Sequence, residues 1–445
     1  MKSILRGEVE ARLSSIESAF LSTPENDGNR RAYADILYKA GLMKQANEVI
    51  APLAGIDAVD IDDVRLGASL AYLLGDYPKA EALFGRRKEI APPGSDARSA
   101  ALEGLALTYY QTNRYEQAKD LDLSKADKKA HNDDSLVTFM KSFPGAPYRL
   151  KWASSEKTAR LPIINDFAPA GALPLVRLKV NGRAVELILD TGGDRLYIDE
   201  RVARRIGIRT LATRKAKYAY TGGKTVKEPL GVAASVEMDA VTLENVPVIV
   251  ARWTALGLTG DGVITTQILK QFLTTVDYDR REIIFRERSE AGRQEMLDSF
   301  AGDPVRLPFW MAATHLMFTR GRINGRTLNY FVDSGLAMSM PLVVTDETVE
   351  DLGLSDRKTK IEGTPYFWVP IDSLGMEGLQ SGATQALGNI LVEKDSYWGL
   401  GFLADALISH QYLRHLGSWT IDFDAMSYYF PPDAPERAKR SSGGR

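Results

Sequence analysis

The sequence predicts a helical N-terminal region followed by an all-β region in which one unit occurs twice. Up to about residue 130, apolar residues recur every three or four positions, which is the period of an amphipathic helix. After residue 140, apolar and polar residues alternate between Gly-rich turns, which is the period of strands. Short segments of this β region then recur, in the same order, 143–146 residues later.

Composition narrows the classes of function. The 445 residues are 44% hydrophobic, which is enough for two or three cores. The 56 Lys and Arg and the 58 Asp and Glu give a net charge of −2, so no charge excess points to nucleic acid. With no Cys and only four His, the chain cannot use a thiolate nucleophile, and we expect no metal centre.

Neither a membrane span nor a leader peptide is expected. No stretch approaches the roughly 18 apolar residues of a spanning helix. Arg6 and Glu8 interrupt the start of the chain before an apolar run of about 7–15 residues could form. We therefore expect a cytoplasmic protein, or an exported one if a leader has been removed.

Three look-alike segments organise the helical region. Residues 41–50, 75–84 and 113–122 each combine a turn residue with a helix that carries Ala at a fixed position. Those alanines, Ala46, Ala80 and Ala118, are 34 and 38 residues apart. The spacing resembles that of tetratricopeptide repeats over roughly residues 27–130, and such repeats imply a surface for a protein partner. A generic helical bundle is the alternative.

The β region begins where Pro144, Gly145 and Pro147 break the helical pattern. Its clearest local signal is the Asn-Gly pair in 175–190, which predicts two strands joined by a tight hairpin turn. The resulting division of the chain is a helical domain (1–143), a first lobe (144–287), a linker (288–303), a second lobe (304–432) and a disordered tail (433–445).

The two lobes share five landmarks in the same order. Asn-Gly-Arg, Asp-Thr/Ser-Gly, and an Asp followed by an apolar run recur at offsets of 143 and 144 residues. Arg-Leu-Pro and a closing apolar strand complete the set. The paired segments are 160–162 with 306–308, 180–183 with 323–326, 188–193 with 331–336, 260–272 with 404–416, and 276–285 with 421–430. This order predicts an internal duplication.

Each lobe carries an Asp-Thr/Ser-Gly tripeptide at the end of a predicted strand, at 190–192 and at 333–335. One such tripeptide alone is more often a turn. Two at equivalent positions of a duplicated unit, over roughly residues 160–430, resemble the aspartic peptidases: the retropepsin-like units found in many bacterial chains and the two-lobed pepsin arrangement.

This resemblance implies that Asp190 and Asp333 share one proton and together activate a water that attacks a peptide bond. It implies an extended polypeptide substrate, no metal and no organic cofactor. Because one chain carries both aspartates, it also implies an active monomer. The supporting residues that it implies are Thr191 and Ser334, whose hydroxyls form hydrogen bonds between the lobes, and Gly192 and Gly335, which let the backbone turn tightly under the carboxylates.

A flap over the cleft is expected at 217–226, where two strands flank a Gly-rich turn. Residues 360–369 are the counterpart in the second lobe, as a flap or a cleft wall. The string Thr-Gly-Gly-Lys-Thr is not a phosphate loop, because Tyr218 stands where that motif needs Gly. The expected flap or substrate-binding residues are Tyr218, Tyr220, Thr221, Gly222 and Gly223.

Four positions depart from the family pattern. Thr265 and Ser409 stand where Gly is usual, and Gly193 and Leu336 stand where Ala, Ser or Thr is usual. The main hypothesis is an endopeptidase whose helical domain binds substrates or partners. The alternative is a catalytically inactive, peptide-binding relative. We expect the helical domain to be removable, unless its helices pack on the lobes and complete their cores.

Overall fold

A computed structural model describes residues 6–121, 136–167, 172–217, 225–252, 260–336, 340–389 and 400–440. Helices occupy the N-terminal part of this range, and strands with a few short helices occupy the rest. Among the described residues, no helix combines the length and the apolar character needed to cross a membrane.

The N-terminal region consists of consecutive helices that pack against their neighbours in sequence. Side-chain caps at the first turns set several of the starts, as at Asp60, whose carboxylate accepts hydrogen bonds from two backbone N–H groups. The helices are α1 (Arg6–Ser22), α2 (Asp27–Ala40), α3 (Met43–Ile50), α4 (Ile61–Leu73), α5 (Tyr77–Ile90), α6 (Asp96–Gln111), a 3-10 helix (Tyr115–Asp120) and α7 (Leu136–Ser142).

The three alanines that drew attention in the sequence, Ala46, Ala80 and Ala118, are fully buried. Phe84 of α5 lies against Gly104 of α6, where an added Cβ would come within 2.6 Å of the ring. A small residue on one helix and an aromatic ring on the other thus allow these helices to approach closely.

Six strands of the described residues close a barrel in the first half, in the order β8-β5-β9-β4-β3-β7 and back to β8. Helices α8 (Glu200–Arg205) and α9 (Thr266–Leu269) follow β5 and β9. The strands are β1 (Arg149–Trp152), β2 (Thr158–Pro162), β3 (Leu175–Val180), β4 (Arg183–Asp190), β5 (Leu196–Asp199), β6 (Arg209–Lys217), β7 (Thr225–Met238), β8 (Val241–Ala251), β9 (Gly262–Thr265), β10 (Leu273–Asp277) and β11 (Glu282–Arg286).

The second half begins after α10 (Glu290–Asp298) and includes α11 (Asp346–Asp351) and α12 (His410–His415). Its strands are β12 (Val305–Ala312), β13 (Leu316–Ile323), β14 (Arg326–Asp333), β15 (Leu342–Val344), β16 (Thr359–Lys360), β17 (Phe367–Ile371), β18 (Leu374–Met376), β19 (Leu379–Ser381), β20 (Thr384–Gly388), β21 (Ala406–Ser409), β22 (Ser418–Asp422) and β23 (Ser427–Phe430). Strands β2, β11, β10, β22, β23 and β12 form one continuous run that joins the halves through the antiparallel pair β10–β22.

The Asn-Gly hairpin predicted from the sequence is confirmed. Val180 pairs with Arg183 across the turn, and Asn181 and Gly182 have φ angles of 50° and 73°. A two-residue turn with positive φ at both positions matches the right-handed twist of the strands, and Asn and Gly tolerate it best. The second half has the same turn at Asn324 and Gly325, with φ angles of 51° and 80°.

The helical region packs on both β halves. One apolar cluster joins residues of α4 to α7 to the first half, including Ile188 of β4. A second cluster joins residues of α2 to α4 to the second half, including Trp310 and Phe331. Because side chains alternate along a strand, Leu187 and Leu189 face the barrel interior while Ile188 between them faces the helices.

The segment predicted to be a disordered tail is partly helical. Residues Ala434–Arg440 form helix α13, and Ala434 and Ala438 are buried. Two small apolar residues four positions apart give this short helix one buried face. The prediction missed this pattern because the segment is rich in Pro and charged residues. The prediction of disorder is therefore wrong for 434–440, and residues 441–445 lie outside the described residues.

Candidate active site

Asp190 and Asp333 occupy the same place in two similar strand arrangements. Asp190 ends β4 and pairs with Thr265 of the parallel strand β9. Asp333 ends β14 and pairs with Ser409 of the parallel strand β21. Each carboxylate therefore emerges at the carboxyl end of a strand that is hydrogen-bonded to its neighbour, which fixes its backbone on a rigid element.

The structure brings the two carboxyl groups into hydrogen-bond contact with each other. Gly192 and Gly335 lie directly against the opposite aspartate. A Cβ on Gly192 would come within 2.6 Å of Oδ1 of Asp333, and one on Gly335 would overlap the carboxyl group of Asp190. Neither glycine has a positive φ. The chain turns at both glycines, as the sequence suggested, but without a positive φ the turn itself does not demand glycine. Glycine is required because a carboxyl group approaches the backbone closely.

Crossed hydrogen bonds join the two loops beneath the carboxyl groups. The N–H of Thr191 donates to Oγ of Ser334 at 3.0 Å, and the N–H of Ser334 donates to Oγ1 of Thr191 at 2.9 Å. The Thr191 hydroxyl then donates to the carbonyl of Val332 at 2.9 Å. Both side chains are fully buried, so water cannot replace these bonds. Each loop therefore holds the other in place.

Burial raises the pKa of both aspartates, because removing water disfavours their charged forms. The pKa of Asp333 is raised further, well above its usual range, by the negative charge of Asp190. Oδ1 of Asp190 accepts a hydrogen bond from the N–H of Gly192 at 2.5 Å, and this bond stabilises the ionised form of Asp190. Of the two carboxyl groups, Asp333 therefore has the stronger tendency to keep its proton, and the two titrate as a pair rather than independently.

Two of the unusual residues near the pair compensate for each other in volume. A Cβ on Gly193 would come within 2.6 Å of Cγ2 of Thr265. Thr265 thus occupies the space that a side chain at 193 would fill, so the two departures from the expected pattern depend on one another. In the second half, the Ser409 hydroxyl donates to the carbonyl of Met340 at 2.7 Å, and Leu336 packs against the apolar cluster shared with the helices.

Sequence reasoning missed residues that support the first aspartate loop. The hydroxyl of Thr266, in α9, donates to the carbonyl of Thr191 at 2.8 Å. The corresponding residue of the second half is His410, which lies 3.3 Å from the hydroxyl of Tyr278. The polar residue that directly follows Thr265 or Ser409 could have been recognised in the sequence as a supporting residue. Tyr110 also contacts this loop, as described below, but no sequence signal points to that contact.

The expected flap residues Tyr218, Tyr220, Thr221, Gly222 and Gly223 lie outside the described residues. The strands that flank them, β6 and β7, pair in an antiparallel register that ends at Lys217 and Thr225. In the counterpart segment, β16 and β17 form a hairpin in which Thr359 pairs with Trp368. Trp368 packs against the apolar cluster shared with the helices.

In the part of the chain that the structure describes, no three His, Asp or Glu side chains converge as ligands of a metal ion would.

Comparison with known proteins finds a family match for one part of the chain. A family model described as aspartyl protease matches residues 176–268, which span β3 to α9 and include Asp190. The first barrel is aspartic-protease-like. No curated protein matches the chain.

The solved structures to which this chain is similar include two basic 7S globulins. One is basic 7S globulin from soybean, with 12% identity, a TM-score of 0.37, and coverage of 67% of this chain and 98% of that chain. Another is conglutin gamma, a basic 7S globulin from lupine seeds, with 11% identity, a TM-score of 0.39, and coverage of 62% and 95% respectively.

Proposed function

We propose that this protein is an aspartic endopeptidase that hydrolyses peptide bonds with a water activated between Asp190 and Asp333. The observation that carries the proposal is the contact between two buried carboxyl groups at the ends of two equivalently paired strands. Such a pair supplies a general base and a general acid in one place, which amide hydrolysis requires.

In this mechanism, ionised Asp190 takes a proton from the water as its oxygen attacks the carbonyl carbon of the scissile peptide. Protonated Asp333 donates its hydrogen to the carbonyl oxygen, so no full negative charge develops there. The tetrahedral diol then collapses. The proton held by Asp190 passes to the leaving nitrogen, the C–N bond breaks, and one diol proton returns to the pair. No covalent enzyme intermediate forms.

The surrounding structure suits this role. The crossed bonds of Thr191 and Ser334 limit how far the loops can move apart, and proton sharing depends steeply on that distance. Gly192 and Gly335 leave room for the opposite carboxyl group. These four residues act on the geometry of the pair, while the two aspartates perform the chemistry.

The proposal includes the organisation of the chain. A duplicated, two-lobed peptidase unit occupies 144–287 and 304–432, joined by the linker 288–303, and one chain forms the complete site as a monomer. The helical domain over 1–143 is tetratricopeptide-like. An extended polypeptide is the substrate, covered by a flap at 217–226.

An inactive, peptide-binding protein of the same fold is the second candidate. It is favoured by Leu336, a bulky residue that directly follows the second Asp-Ser-Gly. Retention of Asp, Thr/Ser and Gly in both halves favours the active form.

The test is cleavage of a random peptide library by the full-length chain, from acidic to neutral pH, with products identified by mass spectrometry. The matched variants are Asp190→Asn, Asp333→Asn and the control Asp356→Asn, an exposed aspartate of the second half. We expect cleavage by wild type and the control and none by the other two. Saturable peptide binding without cleavage by wild type would favour the second candidate.

A further inference from the structure

The loop that carries Asp190 rests on the helical region. The hydroxyl of Tyr110, in α6, donates to the carbonyl of Asp194 at 2.9 Å. The guanidinium of Arg195 lies over the rings of Tyr110 and Phe139, at 5.4 Å and 4.4 Å from their centroids. Tyr110 is fully buried and Arg195 nearly so. Helices α6 and α7 therefore hold the far side of the loop, four and five residues from the aspartate.

The next residue of α6 contacts both β halves. The side-chain amide nitrogen of Gln111 lies 3.2 Å and 3.1 Å from the carbonyls of Ala313 and Thr314, in the turn between β12 and β13. Its backbone and side-chain oxygens accept hydrogen bonds from Nζ of Lys270, at 2.7 Å and 2.5 Å. Lys270 belongs to the first half and the turn belongs to the second, so one buried side chain bridges them.

Lys270 connects this bridge to the aspartate loop. It directly follows α9, whose first residue, Thr266, donates to the carbonyl of Thr191. Lys270 is buried, and burial lowers its pKa well below the ordinary value. A buried amine needs hydrogen-bond acceptors, and Gln111 supplies two. Gln267 of the same helix donates to the Thr314 carbonyl at 2.6 Å, which ties α9 to the same turn.

The strand that carries Asp333 is held in a similar way. Asn329, four residues before Asp333 in β14, donates from its side chain to the carbonyl of Ala40, at the end of α2, at 3.1 Å. The N–H of Leu403 donates to the carbonyl of Lys39 at 2.9 Å. Both aspartate-bearing elements are thus in direct contact with the helical region.

We propose that the helical region is a brace that sets the distance between the two aspartates, and that Tyr110 and Gln111 are its positioning residues. The catalytic part of this inference rests on the proposed peptidase function, while the structural part does not. The β-facing ends of α2 and α6 are occupied by these contacts, so a partner or substrate would have to use another surface of the helices.

The experiment compares Tyr110→Phe and Gln111→Leu with wild type in the full-length chain. Each variant keeps the bulk of the side chain and removes its polar contacts. Tyr109→Phe is the control, because Tyr109 is the neighbouring tyrosine and contacts Arg114 within the helical region. Kinetics on a peptide that wild type cleaves give kcat and KM separately.

The second readout is the distance between the halves. The chain has no Cys, so spin labels can be placed at Lys179→Cys and Glu377→Cys, exposed positions of β3 and of the β18–β19 turn, without removing native thiols. Pulsed electron paramagnetic resonance then gives the distribution of distances between the two labels. We expect both test variants to broaden or shift it, and to lower kcat by about 10- to 100-fold with little change in KM.

An unchanged distance distribution together with an unchanged kcat would overturn the proposed brace. An unchanged distribution with only a raised KM would also overturn it, because that result would indicate a substrate-binding role for Tyr110 and Gln111. If wild type cleaves no peptide, the proposed function fails, and the distance measurement still decides the brace. If Gln111→Leu does not fold, Tyr110→Phe, which loses a single hydroxyl, carries the test.

Discussion

The crossed bonds beneath the aspartates give a prediction whose size follows from the structure. Thr191→Val replaces a hydroxyl with a methyl group of nearly the same volume, so that packing is preserved. It leaves two buried backbone groups without their partner: the N–H of Ser334 at 2.9 Å and the carbonyl of Val332 at 2.9 Å. The N–H of Thr191 keeps its bond to Ser334.

Each buried backbone group that loses its hydrogen bond costs about 1–3 kcal/mol of folding free energy. With two such groups, and without a cavity, we expect Thr191→Val to lower the free energy of unfolding by about 2–6 kcal/mol. At temperatures where the variant is still folded, its rate of peptide cleavage should be lower than that of wild type by more than the loss of folded protein explains. The reason is that the loops that hold the aspartates are no longer tied together.

Thr265→Val is the matched control. Thr265 is also fully buried in the first half, but its hydroxyl has no hydrogen-bond partner among the described residues. The same substitution there removes an unsatisfied polar group and should leave stability unchanged or raise it. Urea unfolding, followed by the fluorescence of the six tryptophans, measures both variants.

The two substitutions are chemically identical, so their difference isolates the hydrogen bonds. If Thr191→Val is as stable as wild type, or if both variants lose the same amount, the crossed bonds do not hold the loops and the reasoning is refuted.

The remaining predictions concern the backbone, the shared proton and the interface with the helices. Gly335→Ala should abolish cleavage and lower the melting temperature, because its Cβ overlaps the Asp190 carboxyl group; wild-type activity in that variant would contradict the close approach. Because the folded state holds the Asp333 proton more tightly than the unfolded chain does, wild-type stability falls as pH rises from the unfolded pKa through the raised folded pKa. Asp333→Asn should therefore be more stable than wild type near neutral pH, and the gain should vanish in acid; urea unfolding at both pH values checks this. Deleting residues 1–143 exposes Ile188 and Trp310, so we expect an insoluble fragment, and a folded fragment by circular dichroism would show that the lobes stand alone.

Local signals in the sequence were sufficient for the hairpins. The Asn-Gly pair fixes a turn type by itself, since few residues accept its φ angles, and Val180 pairs with Arg183 as expected. The position of the aspartates was also predictable, because two copies of one motif at a constant offset place Asp190 and Asp333 at the ends of corresponding strands.

Contacts between distant segments could not be predicted. Tyr110 and Asp194 are 84 residues apart, and nothing in the helical pattern distinguishes Tyr110 from a core residue. The sequence also does not show that Thr265 fills the space that a side chain at position 193 would need, so the connection between these two unusual residues emerges only from the structure. The role of Gly335 was assigned to a turn because the sequence does not show how closely the opposite carboxyl group approaches.

The central claim is that two aspartates, one from each half, act as a single catalytic unit. Rates of peptide cleavage by Asp190→Asn, Asp333→Asn and the double variant test it most directly, because residues that act as one unit lose activity together. We predict that each single variant loses as much activity as the double variant. A single variant that retains the wild-type rate, or two partial losses that multiply in the double variant, would contradict the shared-proton mechanism.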